Sequence, residues 1–149
     1  MNRRWTQDPY VVAFPEHLPF WQAAARQELL LPVCRDCGEW HWYPRPHCPF
    51  CRSNAVEWQE AVGGATLHTW TLVQRPQGEI VLAYVRLREG PLMLTRLIDV
   101  APDRLSIDMP LGVAFETAPE GRHAPVFRPQ EWPTALPLTA DRTSPWRGR

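Results

Sequence analysis

Lysine is absent from this chain. All sixteen basic residues are arginines, and sixteen carboxylates bring the formal net charge to zero. The arginines are scattered from Arg3 to Arg149 and mixed with those carboxylates. No basic stripe therefore exists of the kind that gives sequence-independent affinity for phosphate backbones, which counts against nucleic-acid binding. Long apolar runs are absent too. The stretch Val11–Phe14 stops at Pro15, and nothing approaches the length of a membrane span. The polar start, Met1 to Tyr10, does not have the form of a secretory signal. The expectation is a cytoplasmic setting, where thiols stay reduced. Catalytic constellations are also missing: there is no serine in a nucleophile-elbow context and no histidine motif with a carboxylate partner in sequence.

What the chain does have is an array of four cysteines with none to spare. Cys34-Arg-Asp-Cys37 and Cys48-Pro-Phe-Cys51 form two C-x-x-C pairs. Two short chelating loops facing each other supply four thiolates at tetrahedral geometry, and a closed four-sulfur shell leaves no position for water or substrate. The ion is therefore expected to be structural. Gly38 and Pro49 suit the tight turns that aim backbone amides at the sulfurs. Zinc is the default occupant; iron in a rubredoxin-like site would use the same ligands. The competing reading is two disulfides or four unrelated thiols, and a C-x-x-C disulfide closes a loop too short to stabilise much.

At 149 residues the chain is one ordinary domain or two small ones sharing a core. Four pieces are expected. An N-terminal arm, 1–31, carries a helix over Phe20–Leu31, opened by Pro19 and stopped by Pro32. The ribbon, 32–60, holds the cysteines around Trp40, His41, Trp42, Tyr43 and His47; so small a module buries little apolar area and depends on its metal. His41 and His47 are expected to face solvent or to support the site from outside it. The third piece, 61–129, alternates as strands do: Ala65–Val73, Glu79–Leu87, Leu92–Ile98, Gly112–Glu116 and Ala124–Phe127, with Gly63-Gly64 as a bend and Pro102–Leu105 as a turn or a single helical turn. In the second of these strands Val81, Ala83, Val85 and Leu87 form a uniformly apolar side. Five short strands suit an OB-type Greek-key barrel, whereas an immunoglobulin-like sandwich needs about seven. The last piece, 130–149, rich in proline, threonine and arginine, is expected to be an extended or disordered tail. The fold class is thus mainly β: helical arm, rubredoxin-like zinc ribbon, five-stranded OB-fold barrel.

These residues also carry a resemblance. Pro19-Phe20-Trp21, Cys34-Arg-Asp-Cys37-Gly38, Tyr43-Pro-Arg-Pro-His-Cys-Pro-Phe-Cys51 and Trp58 resemble the rubredoxin-like zinc ribbon of a family long catalogued as a domain of unknown function, in which the ribbon precedes an OB-fold. Gly63–Thr71, Leu87–Pro91 and Ile107–Val113 continue the match, which covers about Pro15 to Pro129. Asp108 departs from it, standing where the family commonly has glycine, and so does Gly112, where a charged or larger residue is usual. The resemblance implies a non-catalytic accessory subunit for a thiolase-superfamily acyl-CoA enzyme (thiolase, synthase or aldolase type), with an enoyl-CoA hydratase as a further partner, and a role in binding or channelling the CoA thioester.

CoA presents phosphates, an adenine ring and a long arm, so arginines beside aromatics are the natural contacts. Arg45 with Trp42 and Tyr43 comes first, then Arg86 and Arg96, each of which interrupts an apolar strand. The competing reading for all three arginines is a surface side chain whose stem covers apolar neighbours. Phe20 and Trp21 either dock on a partner enzyme or pack on the chain's own barrel; Trp70, mid-strand, reads as core. Two other classes compete. Zinc ribbons and OB-folds both serve single-stranded nucleic acid, which neutral charge disfavours. Iron at the four cysteines would make a small electron carrier, visibly coloured as isolated.

Overall fold

A computed structural model describes residues 3–131. The arm is a series of short helical pieces: a 3-10 turn at Arg3–Gln7, α1 at Pro9–Ala13, a second 3-10 turn at Pro15–His17 and α2 at Leu18–Ala24. Proline opens three of them, where its missing amide costs nothing. Asp8 caps α1 by accepting from the Tyr10 amide at 2.9 Å.

The helix expected to run to Leu31 is shorter. After α2 the Glu28 amide donates to the Ala23 carbonyl at 3.0 Å and the Gln27 amide to the Ala24 carbonyl at 2.9 Å. These are the two bonds of a Schellman termination, and Gln27 takes the left-handed conformation (φ 61°) usually given to glycine. Leu30 and Leu31 belong instead to β1 (Leu30–Cys34), which pairs antiparallel with β2 (Val56–Glu60) in a register from Leu30↔Glu60 to Cys34↔Val56. Pro32 does not stop a helix; it sits inside β1, where its carbonyl accepts from the His41 amide at 3.1 Å.

Gly63 turns the chain from the ribbon into the barrel. Its φ is +78°, and an added Cβ would lie 2.6 Å from Val113 Cγ1, so both conformation and space call for glycine. The barrel strands are β3 (Gly64–Arg75), β4 (Gly78–Leu87), β5 (Leu92–Leu97), β6 (Pro110–Thr117) and β7 (His123–Pro129). They close in the order β3-β4-β5-β7-β6, a five-stranded mixed OB-fold barrel, with β5 and β7 meeting in parallel at Leu97↔Phe127. The turn expected after β5 is a single 3-10 turn, Pro102–Arg104. Alternation on β4 holds: Val81, Ala83, Val85 and Leu87 are all buried. Asp108 has φ 64°, the left-handed conformation that favours glycine, the residue the resemblance leads one to expect there.

Ribbon and barrel share one apolar cluster. Phe20 from α2, Leu29 and Leu31 from the ribbon's entry, and Ala61 join Leu67, Val85, Leu87, Met93, Leu111 and Phe127 of the barrel. Trp70 is partly buried against that cluster. Of the expected tail, only Gln130 and Glu131 fall among the described residues. No helix among the described residues is long and apolar enough to cross a membrane.

Candidate metal centre and arm–ribbon cleft

Two turns bring the cysteines together. The ligand atoms of Cys34, Cys37, Cys48 and Cys51 all lie within 4.8 Å of one another. Cys34 and Cys51 approach to 3.6 Å between sulfurs, as do Cys37 and Cys48. A tetrahedron with metal–sulfur bonds of about 2.3 Å has edges of about 3.8 Å, so the spacing fits a four-coordinate ion.

Backbone amides are aimed at the sulfurs. Cys48 accepts from the Phe50 amide at 3.4 Å. The amides of Cys37 and Asp36 point to Cys34, that of Glu39 to Cys37 and that of Ser53 to Cys51. The Cys37 amide above all lowers the Cys34 thiol to about 7. Lost hydration, reinforced by neighbouring sulfurs, raises Cys37 to about 12. Four sulfurs so close cannot all ionise without a cation, and a divalent ion supplies the missing charge. The donor set therefore fits a zinc-type centre. Its turns are braced outside the sulfurs by Ser53 donating to Asp36, by a His47–Asn54 bond, and by the Ala55 amide on Ser53 at 3.0 Å.

His47 is exposed, but His41 is not. Burial leaves it 3% accessible, with neither ring nitrogen bonded among the described residues, and holds its pKa below the usual value, with Arg45 adding to the effect. His41 thus neither faces solvent nor hydrogen-bonds toward the sulfurs.

The arm and the ribbon loop enclose an open cleft of about 410 Å³ lined by Tyr10, Phe14, His17, Tyr43 and Arg45, with Glu16 at its side. Its wall is a stack of rings. Phe14 and His17 lie 5.6 Å apart and His17 and Tyr43 6.5 Å apart, with interplanar angles of 18° and 15°. Burial lowers the His17 pKa, although Glu16 and a bond accepted by the Pro44 carbonyl work against it, so the ring is neutral at pH 7. Desolvation raises the Tyr43 pKa, and Tyr10 and Tyr84 raise it further. That coupling brings Tyr84, on the outward side of β4 with Arg86, within electrostatic reach of the cleft.

The sequence-predicted residues are distributed unequally over this surface. Tyr43 and Arg45 line the cleft; Trp42 stands behind Tyr43, its ring 5.0 Å away and 4.7 Å from Phe20. Arg86 reaches back to the Gly90 carbonyl at 3.2 Å, and Arg96 is paired with Glu116. Phe20 is buried in the shared core, its ring packed within the chain's own apolar cluster. Trp21 lies under Arg122 of the β6–β7 hairpin, whose guanidinium is 4.6 Å from the Trp21 ring centroid and 5.7 Å from that of Tyr10. Glu120 holds the same guanidinium at 2.9 Å. Sequence reasoning missed Tyr10, Phe14 and His17. The Asp8-Pro9 pair, a cap followed by proline, was the available sign that this stretch is helical.

Fold and site together define a class: a zinc ribbon with four clustered thiols, set on an OB-fold barrel and flanked by a helical arm. Comparison with known proteins narrows it. The profile of the ChsH2 rubredoxin-like zinc ribbon domain matches residues 21–57, and that of the ChsH2 C-terminal OB-fold domain matches residues 58–116. A DUF35 domain-containing scaffold protein of Pyrococcus furiosus is 37% identical over 96 residues, 60% of this chain and 71% of the relative. The chain belongs to the DUF35 family of zinc-ribbon and OB-fold proteins. It is also 33% identical, over 74% of its length, to a probable enoyl-CoA hydratase alpha subunit of Thermomonospora curvata, but spans only 36% of that protein. Among solved structures, the Ltp2-ChsH2(DUF35) aldolase matches with a TM-score of 0.69 and 31% identity, over 76% of this chain and 93% of that one.

Proposed function

We propose that this chain is a non-catalytic accessory subunit that binds a thiolase-superfamily acyl-CoA enzyme and helps to hold or channel its CoA thioester. The observation that carries the reading is the arm–ribbon cleft, in which Arg45 and Tyr43 meet Tyr10, Phe14 and His17. Aromatic plates beside a guanidinium suit a nucleotide base and its phosphates. The relatives point the same way: scaffold proteins, a protein named for enoyl-CoA hydratase, and a DUF35 chain in an aldolase. Trp42 positions Tyr43, while Arg86 and Arg96 offer further cationic contacts on the outward faces of β4 and β5. The four cysteines hold one structural zinc, and the chemistry belongs to the partner. An enoyl-CoA hydratase is a second partner on this reading, and the cytoplasm is the compartment.

The test is affinity capture from the native host, with mass spectrometry of the retained proteins and metal analysis of the bait. Recovery of an acyl-CoA enzyme with about one zinc per chain, and weaker CoA binding by the complex on Arg45→Ala, is the expected outcome. Recovery of nucleic acid or ribosomal proteins without an acyl-CoA enzyme overturns the reading in favour of oligonucleotide binding. Visible absorbance with redox cycling would replace zinc by iron.

A further inference from the structure

The four cysteines divide into two kinds. Cys34 and Cys48, the first of each C-x-x-C pair, are buried, whereas Cys37 and Cys51, the second of each, are exposed. Their neighbours Arg35, Asp36, Pro49, Phe50 and Arg52 are exposed as well, so this end of the ribbon lies open to water.

The close sulfur contacts cross from one pair to the other. Exposed Cys37 meets buried Cys48 at 3.6 Å, and exposed Cys51 meets buried Cys34 at 3.6 Å. Each cysteine that water reaches is thus in contact with one that it does not. Zinc itself has no redox chemistry, but its ligands are thiolates, and thiolates are oxidised where they are exposed.

We propose that Cys37 and Cys51 form a peroxide-sensitive edge of the metal centre, at which hydrogen peroxide exchanges the ion for two disulfides across the ribbon, Cys37–Cys48 and Cys34–Cys51. The Cys37 thiolate attacks one peroxide oxygen; an S–O bond forms, the O–O bond breaks and hydroxide leaves, giving a sulfenic acid. The Cys48 thiolate then attacks the Cys37 sulfur; an S–S bond forms, the S–O bond breaks and a second hydroxide leaves. Two electrons have passed from the sulfurs to peroxide. Only the thiolate is a metal ligand, so this first disulfide already releases the ion. The same two steps at Cys51 and Cys34 consume a second peroxide.

The exchange keeps the ribbon tied. Cys37 and Cys48 flank the segment that carries Tyr43 and Arg45, and their disulfide closes the base of that loop as the metal does. The two bonds join residues 11 and 17 apart. Each constrains the unfolded ribbon more than a bond within a C-x-x-C pair, which would join neither the loop's ends nor the two knuckles.

The test is a peroxide titration of the full chain loaded with zinc. A chromogenic chelator reads released zinc, and mass spectrometry of alkylated proteolytic fragments reads free thiols and disulfide connectivity. About one zinc per chain should be released, with about two peroxides consumed and Cys37 joined to Cys48 and Cys34 to Cys51. Ribbon amides should stay protected in the oxidised chain, whereas chelation of the reduced chain exposes them. Cys51→His keeps a four-ligand set and should form Cys37–Cys48 alone; if that variant does not take zinc, the connectivity in the unaltered chain still decides. Zinc held against excess peroxide overturns the proposal. So do disulfides within the C-x-x-C pairs, sulfinic acids in place of disulfides, or a ribbon that loses amide protection on oxidation.

Discussion

The barrel and the ribbon bury themselves by different means. In the barrel, Leu67, Val85, Leu87, Met93, Leu111 and Phe127 are almost wholly removed from water, and every strand contributes to closure. The ribbon has two five-residue strands, and its far end, beyond Cys34, contains Phe50, Cys37 and Cys51 in the open. Its own apolar residues, Leu29 and Leu31, face the barrel's core and leave the knuckles to the metal. A region can thus be well ordered with little of its own interior, provided a bound ion organises one end and a neighbour's core receives the other.

Metal removal is the strongest way to break that comparison. A structural zinc of this class contributes about 10–16 kcal/mol to the fold of its module. Chelation, or Cys48→Ser, should abolish amide protection in the ribbon while Leu67, Val85 and Leu87 stay protected in hydrogen exchange. Simultaneous loss in both regions would make them one cooperative unit. Binding requires thiolates, so metal affinity falls as pH drops, by about tenfold per pH unit for each proton displaced. Competitive chelator titration at two pH values reads this.

Phe127→Ala approaches from the other side. It should cost the barrel about 3–5 kcal/mol in denaturant unfolding while zinc content stays unchanged. A smaller effect, about 1–2 kcal/mol, is expected for Arg122→Ala, which removes the cation from between Tyr10 and Trp21. Proteolysis should then cut the arm before the ribbon or barrel.

Through His17, acidification should also loosen the arm, and by less. Burial depresses the His17 pKa from its ordinary 6.5. Unfolding therefore takes up a proton as pH falls below 6.5, and stability is lost through the folded value. His17→Phe keeps the stack, and its melting temperature should fall less over that window. Least of all, Asp108→Gly should stabilise the barrel by at most about 1 kcal/mol, because it relieves the left-handed backbone but frees the unfolded chain.

The barrel was legible because period-two alternation and turn residues are local signals. Val81, Ala83, Val85 and Leu87 announce a buried side before any neighbour is known. The metal centre was legible because both knuckles carry their ligands at fixed short spacing. The end of α2 was not, since Gln27 occupies a conformation for which glycine or asparagine would be the cue. Leu30 and Leu31 read equally well as the last turn of a helix, and only pairing with β2 makes them strand. The cleft was half legible: Arg45 and Tyr43 stood out beside the cysteines. Tyr10, Phe14 and His17 meet them only through tertiary folding, and so does the burial that turns Phe20 inward.

Arg122 ties the first segment of the chain to the last hairpin of the barrel. Synthesis runs from the amino end, so the arm leaves the ribosome more than a hundred residues before the guanidinium that fastens it. The ribbon can take its metal in the meantime. The cleft, whose walls come from both arm and ribbon, acquires its clamp only when the β6–β7 hairpin has emerged, so a nascent or truncated chain can take its metal before its cleft is finished.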